Sequence, residues 1–363
     1  MDKIKSITIK GFKSFKSLEK FTLTNRNILI GANASGKSNF LSFFHMLNWT
    51  FKANPQFQYY VQKSGKANSL LFQGVSHTSE IEARFVFQRD NTEVEYVMNL
   101  DYGGGDRLFF AQEKYRCVER DSDYQWNYLG ANNDESKLVT TKQKDLTNVL
   151  WALRRMSYYQ FHNTSQTARM RQTWNVDDDN LLKEDAANLA PFLLKMKNNY
   201  PEYYEKIVSV IRLIYPEFND FVLEPDENDI ILKWQETASD CTFSAHQASD
   251  GTLRAFSLVT LLNQPEKMLP FLLIIDEPEL GLHPYAIKII TGLIKSVSLK
   301  RQVLIATQSS DFVDEFEAED IITVDKRNGE TIMERQTKEK LEPWLKDYKL
   351  SDIWNANVMG GRP

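Results

Sequence analysis

The feature that most constrains this chain is a glycine-rich turn between a short β-rich run and an amphipathic helix. The run covers residues 27–30, and the turn, residues 31–38, reads GANASGKS, which fits G-x-x-x-x-G-K-S. From Lys37 to about Phe51, apolar residues recur every three or four positions, as on one face of a helix. When a strand, a glycine-rich turn and a helix follow one another, the backbone N–H groups of the turn and the positive end of the helix dipole point toward the same anion site. The pattern therefore predicts a loop that binds the phosphates of a nucleotide.

Two side chains of this loop have predicted tasks. Lys37 is expected to reach the outer phosphates, and the Ser38 hydroxyl is expected to join the coordination shell of Mg²⁺. The nucleotide-binding residues predicted from this segment are Gly31, Asn33, Ala34, Ser35, Gly36, Lys37, Ser38 and Asn39.

A second constellation is an apolar run, residues 272–275, that ends in the adjacent carboxylates Asp276 and Glu277. Adjacent acids at the end of a buried strand are costly unless a cation or hydrogen bonds satisfy them. Beside a phosphate-binding loop, Asp276 is predicted to hold Mg²⁺ through its water ligands. Glu277 is predicted to orient or deprotonate the attacking water, so the expected reaction is nucleotide hydrolysis.

A third segment opens a predicted helix from Thr252 to about Asn263. Ser249 or Asp250 is expected to cap this helix, whose start is also an anion site. Residues 248–252 resemble the signature motif of ABC-type ATPases. In that family, the signature of one subunit closes over the γ-phosphate held by the other. The resemblance therefore implies that Ser249, Asp250 and Gly251 bind ATP across a dimer.

The resemblance extends over most of the chain and is to the branch containing SMC, RecF and overcoming-lysogenization-defect (OLD) proteins. Residues 9–15, IKGFKSF, look like the start of SMC heads, which implies that Lys13 approaches the nucleotide phosphates. Residues 279–284 look like the D-loop of bacterial ATPases labelled AAA-21 or AAA-15, and residues 249–254, SDGTLR, look like the signature of the same proteins. The expected cofactors are ATP and Mg²⁺.

The fold that this resemblance implies is an α/β ABC-type ATPase head, a P-loop NTPase core with an antiparallel β subdomain and a helical insert. Four segments of strand character predict the antiparallel sheet, namely 80–88, 94–100, 108–118 and 124–129, whereas residues 145–213 look mostly helical. The expected domains are an N-terminal lobe (1–135), a mainly helical insert (136–215) and a C-terminal lobe (216–363) that carries the signature, carboxylates, D-loop and switch. The sequence has no sustained heptad pattern, so no long coiled coil is expected.

One position departs from the family pattern. Gln308 stands where a switch histidine is usual, and glutamine can hydrogen-bond a phosphate or its water but does not titrate near neutral pH. Glu277 and Gln308 are therefore the predicted catalytic residues of a slow ATPase. Gln160 is the predicted sensor of Mg²⁺ and the attacking water, with His162 as the alternative.

Composition and charge indicate the expected compartment and binding partners of the protein. A net charge of −5, with 42% hydrophobic and 26% charged residues, is typical of a soluble globular protein without a broadly basic surface. We find no signal-peptide pattern or membrane-length apolar run, and the two cysteines suggest neither a disulfide nor a zinc site, which favours the cytoplasm. A basic and aromatic cluster is the candidate surface for DNA, RNA or a partner: Arg154, Arg155, Tyr158, Tyr159, Arg169, Arg171 and Trp174.

The resemblance also implies a cycle in which two copies, or a higher oligomer, sandwich ATP head to head and separate after hydrolysis. Two uses of that cycle remain open. The ATPase controls a separate effector, a nuclease or toxin, in bacterial anti-phage defence, or it serves DNA maintenance as RecF-like proteins do. The residues after Ile322 are expected to be too few for an OLD-type nuclease domain. The tail from Trp354 either docks a partner or frays.

Overall fold

The computed structural model describes residues 2–52, 54, 56–89, 92–118 and 125–361. It divides into two compact units: Met1–Ser157 with Glu317–Pro363, and Tyr158–Phe316. The phosphate-binding loop lies in the first unit, and the carboxylates and signature lie in the second. The expected lobe boundaries near residues 135 and 215 stay a prediction. None of the helices in the described ranges is both long and apolar enough to span a membrane.

The strands and helices follow in chain order. The strands are β1 (Lys3–Phe12), β2 (Phe15–Thr22), β3 (Arg26–Ile30), β4 (Glu80–Arg89), β5 (Thr92–Gly103), β6 (Arg107–Val118), β7 (Asn127–Gly130), β8 (Met156–Tyr159), β9 (Trp174–Asn175), β10 (Phe218–Phe221), β11 (Asp229–Ile230), β12 (Lys233–Glu236), β13 (Ser239–Ser244), β14 (Leu272–Asp276), β15 (Gln302–Thr307), β16 (Ile321–Arg327) and β17 (Glu330–Arg335). The helices are α1 (Lys37–Phe51), α2 (Phe57–Lys63), α3 (Lys66–Leu70), α4 (Lys144–Arg154), α5 (Leu189–Asn199), α6 (Pro201–Ile214), α7 (Asp250–Leu262), α8 (Pro284–Ser298), α9 (Ser310–Val313), α10 (Lys338–Leu345) and α11 (Leu350–Asn355).

The first unit contains the expected antiparallel sheet, with strand order β2-β1-β4-β5-β6-β7. Alternate side chains of β4 are buried, as in a sheet with one face on the core: Ile81, Ala83, Phe85 and Phe87. Phe43 of α1 packs against Phe12 and Phe85, with ring centroids 5.3 and 6.1 Å away. The core of this sheet therefore lies against the helix that follows the phosphate-binding loop. Tyr124, where the fourth predicted strand begins, lies outside the described residues.

The end of the chain also belongs to the first unit. Strand β16 pairs in parallel with β3, which leads into the phosphate-binding loop, and antiparallel with β17. Trp354 of α11 is fully buried and donates its indole N–H to the carbonyl oxygen of Gly361. The N–H of Gly361 donates to Asp325 Oδ1 at 3.1 Å. Of the two alternatives for the tail, fraying is therefore wrong as far as residue 361, and docking of a partner stays a prediction.

The second unit is built around the parallel pair β14 and β15. Every residue of β14 is buried, as expected for a strand in a parallel sheet. Helix α7 packs through Phe256 against Phe218, Phe221 and Trp234 of the small antiparallel sheet β10-β12-β13, with ring centroids 5.1 to 5.7 Å apart. This packing fixes the helix that begins at the signature.

The segment between β8 and α5 is less helical than the sequence predicts. Residues 160–188 contain only the short strand β9 and a single 3₁₀ turn. Polar side chains bind the backbone here instead, because Asn188 Nδ2 donates to the carbonyl oxygens of Asp178 and Leu181. Such local bonds compete with helix formation. The result is an extended segment that passes the ends of β14 and α7.

Candidate functional site

The phosphate-binding loop adopts a conformation that only certain residues allow. Ala34 and Gly36 have φ angles of +62° and +119°. A Cβ at Gly36 would lie 2.0 Å from Thr331 Oγ1, so a side chain does not fit there. Gly36 is also the N-cap of α1 and has no side chain with which to bond the first-turn N–H groups. Those groups remain suited to a bound phosphate.

Lys37 is buried inside this loop. Its ammonium donates to the carbonyl oxygens of Gly31 and Ala32, at 2.5 and 3.1 Å. The side chains of Asn33, Ala34 and Ser38 are exposed. The Ser35 hydroxyl is buried without a hydrogen-bond partner in the described part of the chain. The loop thus combines a held positive charge with backbone and hydroxyl donors, a set that fits a nucleotide phosphate chain.

A buried network of side chains braces the loop. Ser14 Oγ accepts a hydrogen bond from Asn39 Nδ2 at 2.8 Å and lies 2.7 Å from Thr331 Oγ1. Thr331 Oγ1 lies 2.8 Å from the carbonyl oxygen of Ser35. Asn39, which the sequence predicts to bind the nucleotide, is therefore part of this brace. Ser14 and Thr331 were not singled out by the sequence, because they lie 317 positions apart.

Lys13 lies at the turn between β1 and β2 with a φ of +47°. Its ammonium donates to Ser42 Oγ of α1 at 2.8 Å, and burial lowers the pKa of this lysine. It is next to Ser14 of the brace. Lys13 is thus attached to the same helix as the phosphate-binding loop, and its contact with phosphate stays a prediction.

In the second unit, Asp276 ends β14 and is 8% exposed. Its Oδ2 accepts hydrogen bonds from Tyr158 OH at 3.1 Å and from Gln160 Nε2 at 3.3 Å. Its backbone oxygen lies 3.1 Å from His162 Nε2. Gln160 and His162, the two alternatives for the sensor residue, thus both contact Asp276. Burial, followed by the Asp276 charge, raises the pKa of Tyr158, which keeps this phenol a hydrogen-bond donor.

Glu277 has a left-handed φ of +44°, which is rare for a residue with a side chain and is often found at functional sites. Its Oε1 accepts a hydrogen bond from Gln308 Nε2 at 2.5 Å, and its Oε2 lies 3.8 Å from His162 Nε2. The two predicted catalytic residues are therefore in direct contact. Their carboxylate and amide are held at the ends of the neighbouring strands β14 and β15.

Glu279 is an additional buried acid beside this pair. Its Oε1 accepts hydrogen bonds from Thr307 Oγ1 at 2.6 Å and from the Gln308 N–H at 3.3 Å. Burial raises the pKa of Glu279. In the sequence, Glu279 is the first residue of the motif at 279–284, and that motif alone does not reveal that this acid holds the Gln308 backbone.

The signature segment begins α7 as expected. Ser249 is the N-cap, and its Oγ accepts a hydrogen bond from the Thr252 N–H at 3.1 Å. A Cβ at Gly251 would lie 2.5 Å from the Gly281 carbonyl oxygen, so the close approach of the D-loop requires glycine. Ser249 and Asp250 are exposed. The predicted nucleotide ligands of this segment are therefore accessible on the second unit.

The predicted basic and aromatic cluster is wrong in part. Arg171 is 2% exposed and Tyr159 is 4% exposed, so neither side chain offers a surface for nucleic acid. Arg169 does lie on the surface, where it pairs with Asp185 at 2.9 Å and its guanidinium stacks over Trp174 at 4.9 Å. The spacing of these residues did not reveal that Arg171 turns inward.

Comparisons with known proteins show the family and the fold of this chain. Residues 26–314 match the family model described as "AAA domain, putative AbiEii toxin, Type IV TA system". The chain is similar to an SMC head solved with the C-winged helix domain of ScpA, at 15% identity, a TM-score of 0.60, and coverage of 94% of this chain and 99% of that one. It is also similar to the Pyrococcus furiosus SMC head with an extended coiled coil bound to the C-terminal domain of ScpA, at 14% identity, a TM-score of 0.54, and coverage of 96% and 99%. No curated protein matches the sequence.

Proposed function

The chain belongs to this AAA-domain family and has the fold of an ABC-type P-loop ATPase of the SMC/RecF-like branch, and from that premise we propose that it is an ATP-driven switch. ATP joins two copies head to head, hydrolysis separates them, and the cycle controls a separate effector protein. The observation that carries the proposal is the contact between Glu277 and Gln308 beside Asp276, at the carboxyl ends of β14 and β15.

The motifs supply candidate residues for each part of ATP–Mg²⁺. In the first unit, Lys37 and the first turn of α1 bind the phosphates, and Lys13 approaches them. Ser38 and Asp276 are oxygen ligands of the kind that Mg²⁺ prefers, directly or through its waters. When bound, Mg²⁺ neutralises charge on the β- and γ-phosphates. Gln160 or His162 holds Asp276 and the attacking water in place.

Glu277 is the general base for hydrolysis. Its carboxylate orients the water, which attacks the γ-phosphorus, and accepts the proton that the water loses as the bond to ADP breaks. Gln308 donates to Glu277 Oε1 and so fixes the orientation of this carboxylate. Because glutamine does not take up a proton near neutral pH, turnover is expected to be slow.

The dimer follows from the signature. Ser249, Asp250 and Gly251 begin the 13-residue helix α7, whose N-terminal dipole favours an anion. The ATP held by the phosphate-binding loop of a second copy supplies that anion. By symmetry, two identical sites close together, and loss of the γ-phosphate weakens both.

A defence role agrees with the family description, which names a toxin and a toxin–antitoxin system. The effector is then a separate nuclease or toxin, and the switch acts in the cytoplasm. The two SMC heads described above are bound to domains of ScpA, which supports partner binding by this fold.

The test combines steady-state ATP hydrolysis with light scattering, with and without DNA. Glu277→Gln should lower hydrolysis about a hundredfold or more and still form an ATP-dependent dimer, because it loses the base but keeps the nucleotide ligands. Lys37→Ala should lose both properties. Glu202→Gln, the same exchange at an exposed position of α6, is the control and should change neither.

Wild-type turnover by Glu277→Gln would contradict the catalytic assignment, and an unchanged mass in ATP would contradict the dimer. Stimulation by DNA would favour the alternative use in DNA maintenance.

A further inference from the structure

We propose that Arg171 is a positioning residue that sets the signature loop, defined here as residues 245–250, for contact with the nucleotide of a second copy. The inference rests on the proposed ATP-dependent dimer. It gives that dimer a specific internal support, which lies in the second unit together with the signature itself.

The Arg171 side chain is enclosed and fully bonded. Its Nε donates to the Thr164 carbonyl oxygen at 2.9 Å. Its Nη1 donates to the carbonyl oxygens of Ala245 and Ala248, the latter at 3.2 Å, and its Nη2 donates to Ala248 O and to Asp250 Oδ1, both at 3.2 Å. These five hydrogen bonds equal the five N–H groups of a guanidinium. Four of the five go to the signature loop.

Burying the guanidinium charge of Arg171 costs free energy, because the charge loses its contact with water. Asp250, its carboxylate partner within the described ranges, has a side chain that is 61% exposed, so the buried charge is compensated mainly by carbonyl dipoles. Apolar residues of similar volume often replace buried ions without loss of stability. The planar fork, however, fixes how far apart its acceptors lie, which a lysine ammonium does not. The geometry therefore points to Arg171 as the group that shapes the loop preceding Ser249.

Arg171 also connects the signature to the segment around Asp276. Thr164, which accepts from Arg171, presents its Oγ1 to Arg254 Nη2 at 3.3 Å. Arg254 further donates to the carbonyl oxygens of Phe161 and His162, at 3.1 and 3.0 Å. Arg171 and Arg254 thus both bond the segment that carries Gln160 and His162 to the signature.

The experiment uses the full chain with Glu277→Gln as the parent, so that ATP is not consumed. Light scattering against protein concentration in ATP–Mg²⁺ gives the apparent dimer dissociation constant, and a fluorescent ATP analogue gives the affinity of the monomer. Arg171→Met and Arg171→Lys should each weaken the dimer about tenfold or more, the effect of losing one charge-assisted hydrogen bond. The monomer affinity should stay unchanged, because the phosphate-binding loop lies in the first unit.

Arg301→Met is the matched control. Arg301 lies in the same unit, is partly buried, and donates to the carbonyl oxygens of Lys300 and Glu266, away from the signature. It should leave the dimer constant unchanged.

Arg171→Lys retains the charge and serves as the second variant where the methionine change prevents folding. A lysine variant that dimerises like its parent would overturn the inference while the proposed dimer stands. So would an equal loss of dimerisation and monomer affinity. If the Glu277→Gln parent stays monomeric in ATP, the proposed dimer is contradicted, and so is the inference that rests on it.

Discussion

The Gln308 side chain donates to Glu277 Oε1 at 2.5 Å, and its own backbone N–H donates to Glu279 Oε1 at 3.3 Å. A neutral amide here acts as a fixed donor over the whole physiological pH range, unlike a histidine. Glu279 Oε1 also accepts from Thr307 Oγ1, so this one carboxylate oxygen holds both Thr307 and the backbone of Gln308. The carboxylate of Glu277 is therefore oriented by a residue that does not titrate.

Gln308→Ala should lower kcat up to about a hundredfold, because a misplaced catalytic group loses the geometry of attack. The affinity of the monomer for ATP should remain, since the phosphate-binding loop belongs to the first unit. Single-turnover hydrolysis and nucleotide titration separate the two effects. Gln172→Ala, at an exposed position of the second unit, is the control. A weakened ATP affinity with normal kcat would show that Gln308 binds ground-state nucleotide instead.

At the scale of elements, the phosphate-binding loop depends on three neighbours in the first unit. Strand β3 leads into it and helix α1 leads out, as the sequence pattern predicts. The hairpin β16–β17 brings Thr331 against Gly36 and the Ser35 carbonyl oxygen. A segment near the end of the chain thus supports the loop near its beginning, and the space it leaves admits only glycine.

Gly36→Ala should abolish ATP binding, because the added Cβ would lie 2.0 Å from Thr331 Oγ1 and the φ of +119° disfavours a side chain. Gly104→Ala is the matched control in the same unit, since a Cβ there would meet no described atom within 4 Å. Titration with a fluorescent ATP analogue, together with circular dichroism, measures the effect. Normal ATP binding by Gly36→Ala would contradict the assignment of this loop.

At the scale of the whole molecule, the chain leaves the first unit after Ser157 and returns to it at Glu317. The returning segment supplies β16 and β17, and its last helix, α11, packs on the unit through the fully buried Trp354. The tail is therefore part of the core that supports the phosphate-binding loop.

Trp354→Ala should lower the free energy of unfolding of the first unit by about 3–5 kcal/mol, the usual cost of emptying a large aromatic site. Trp344→Ala, where the side chain is 43% exposed, should cost less than about 1 kcal/mol. Urea unfolding followed by circular dichroism compares the two variants. Equal losses would show that burial of Trp354 does not stabilise the fold.

The sequence by itself determined the features that depend on local spacing. The helix Lys37–Phe51 has its predicted limits, because periodicity and turn residues specify neighbouring backbone. The family and the ABC-type head fold followed from such motifs. The helical expectation failed within residues 160–188, where polar side chains bind the backbone.

Only the tertiary structure decided which distant side chains meet. Tyr158 and Asp276 are 118 positions apart, and Arg171 and Asp250 are 79 positions apart. No periodic pattern relates such pairs, because their contact depends on how whole elements pack. An arginine among aromatic residues looks like a surface cation in the sequence. Whether it turns inward to hold a loop is decided by the carbonyl oxygens that the fold brings around it.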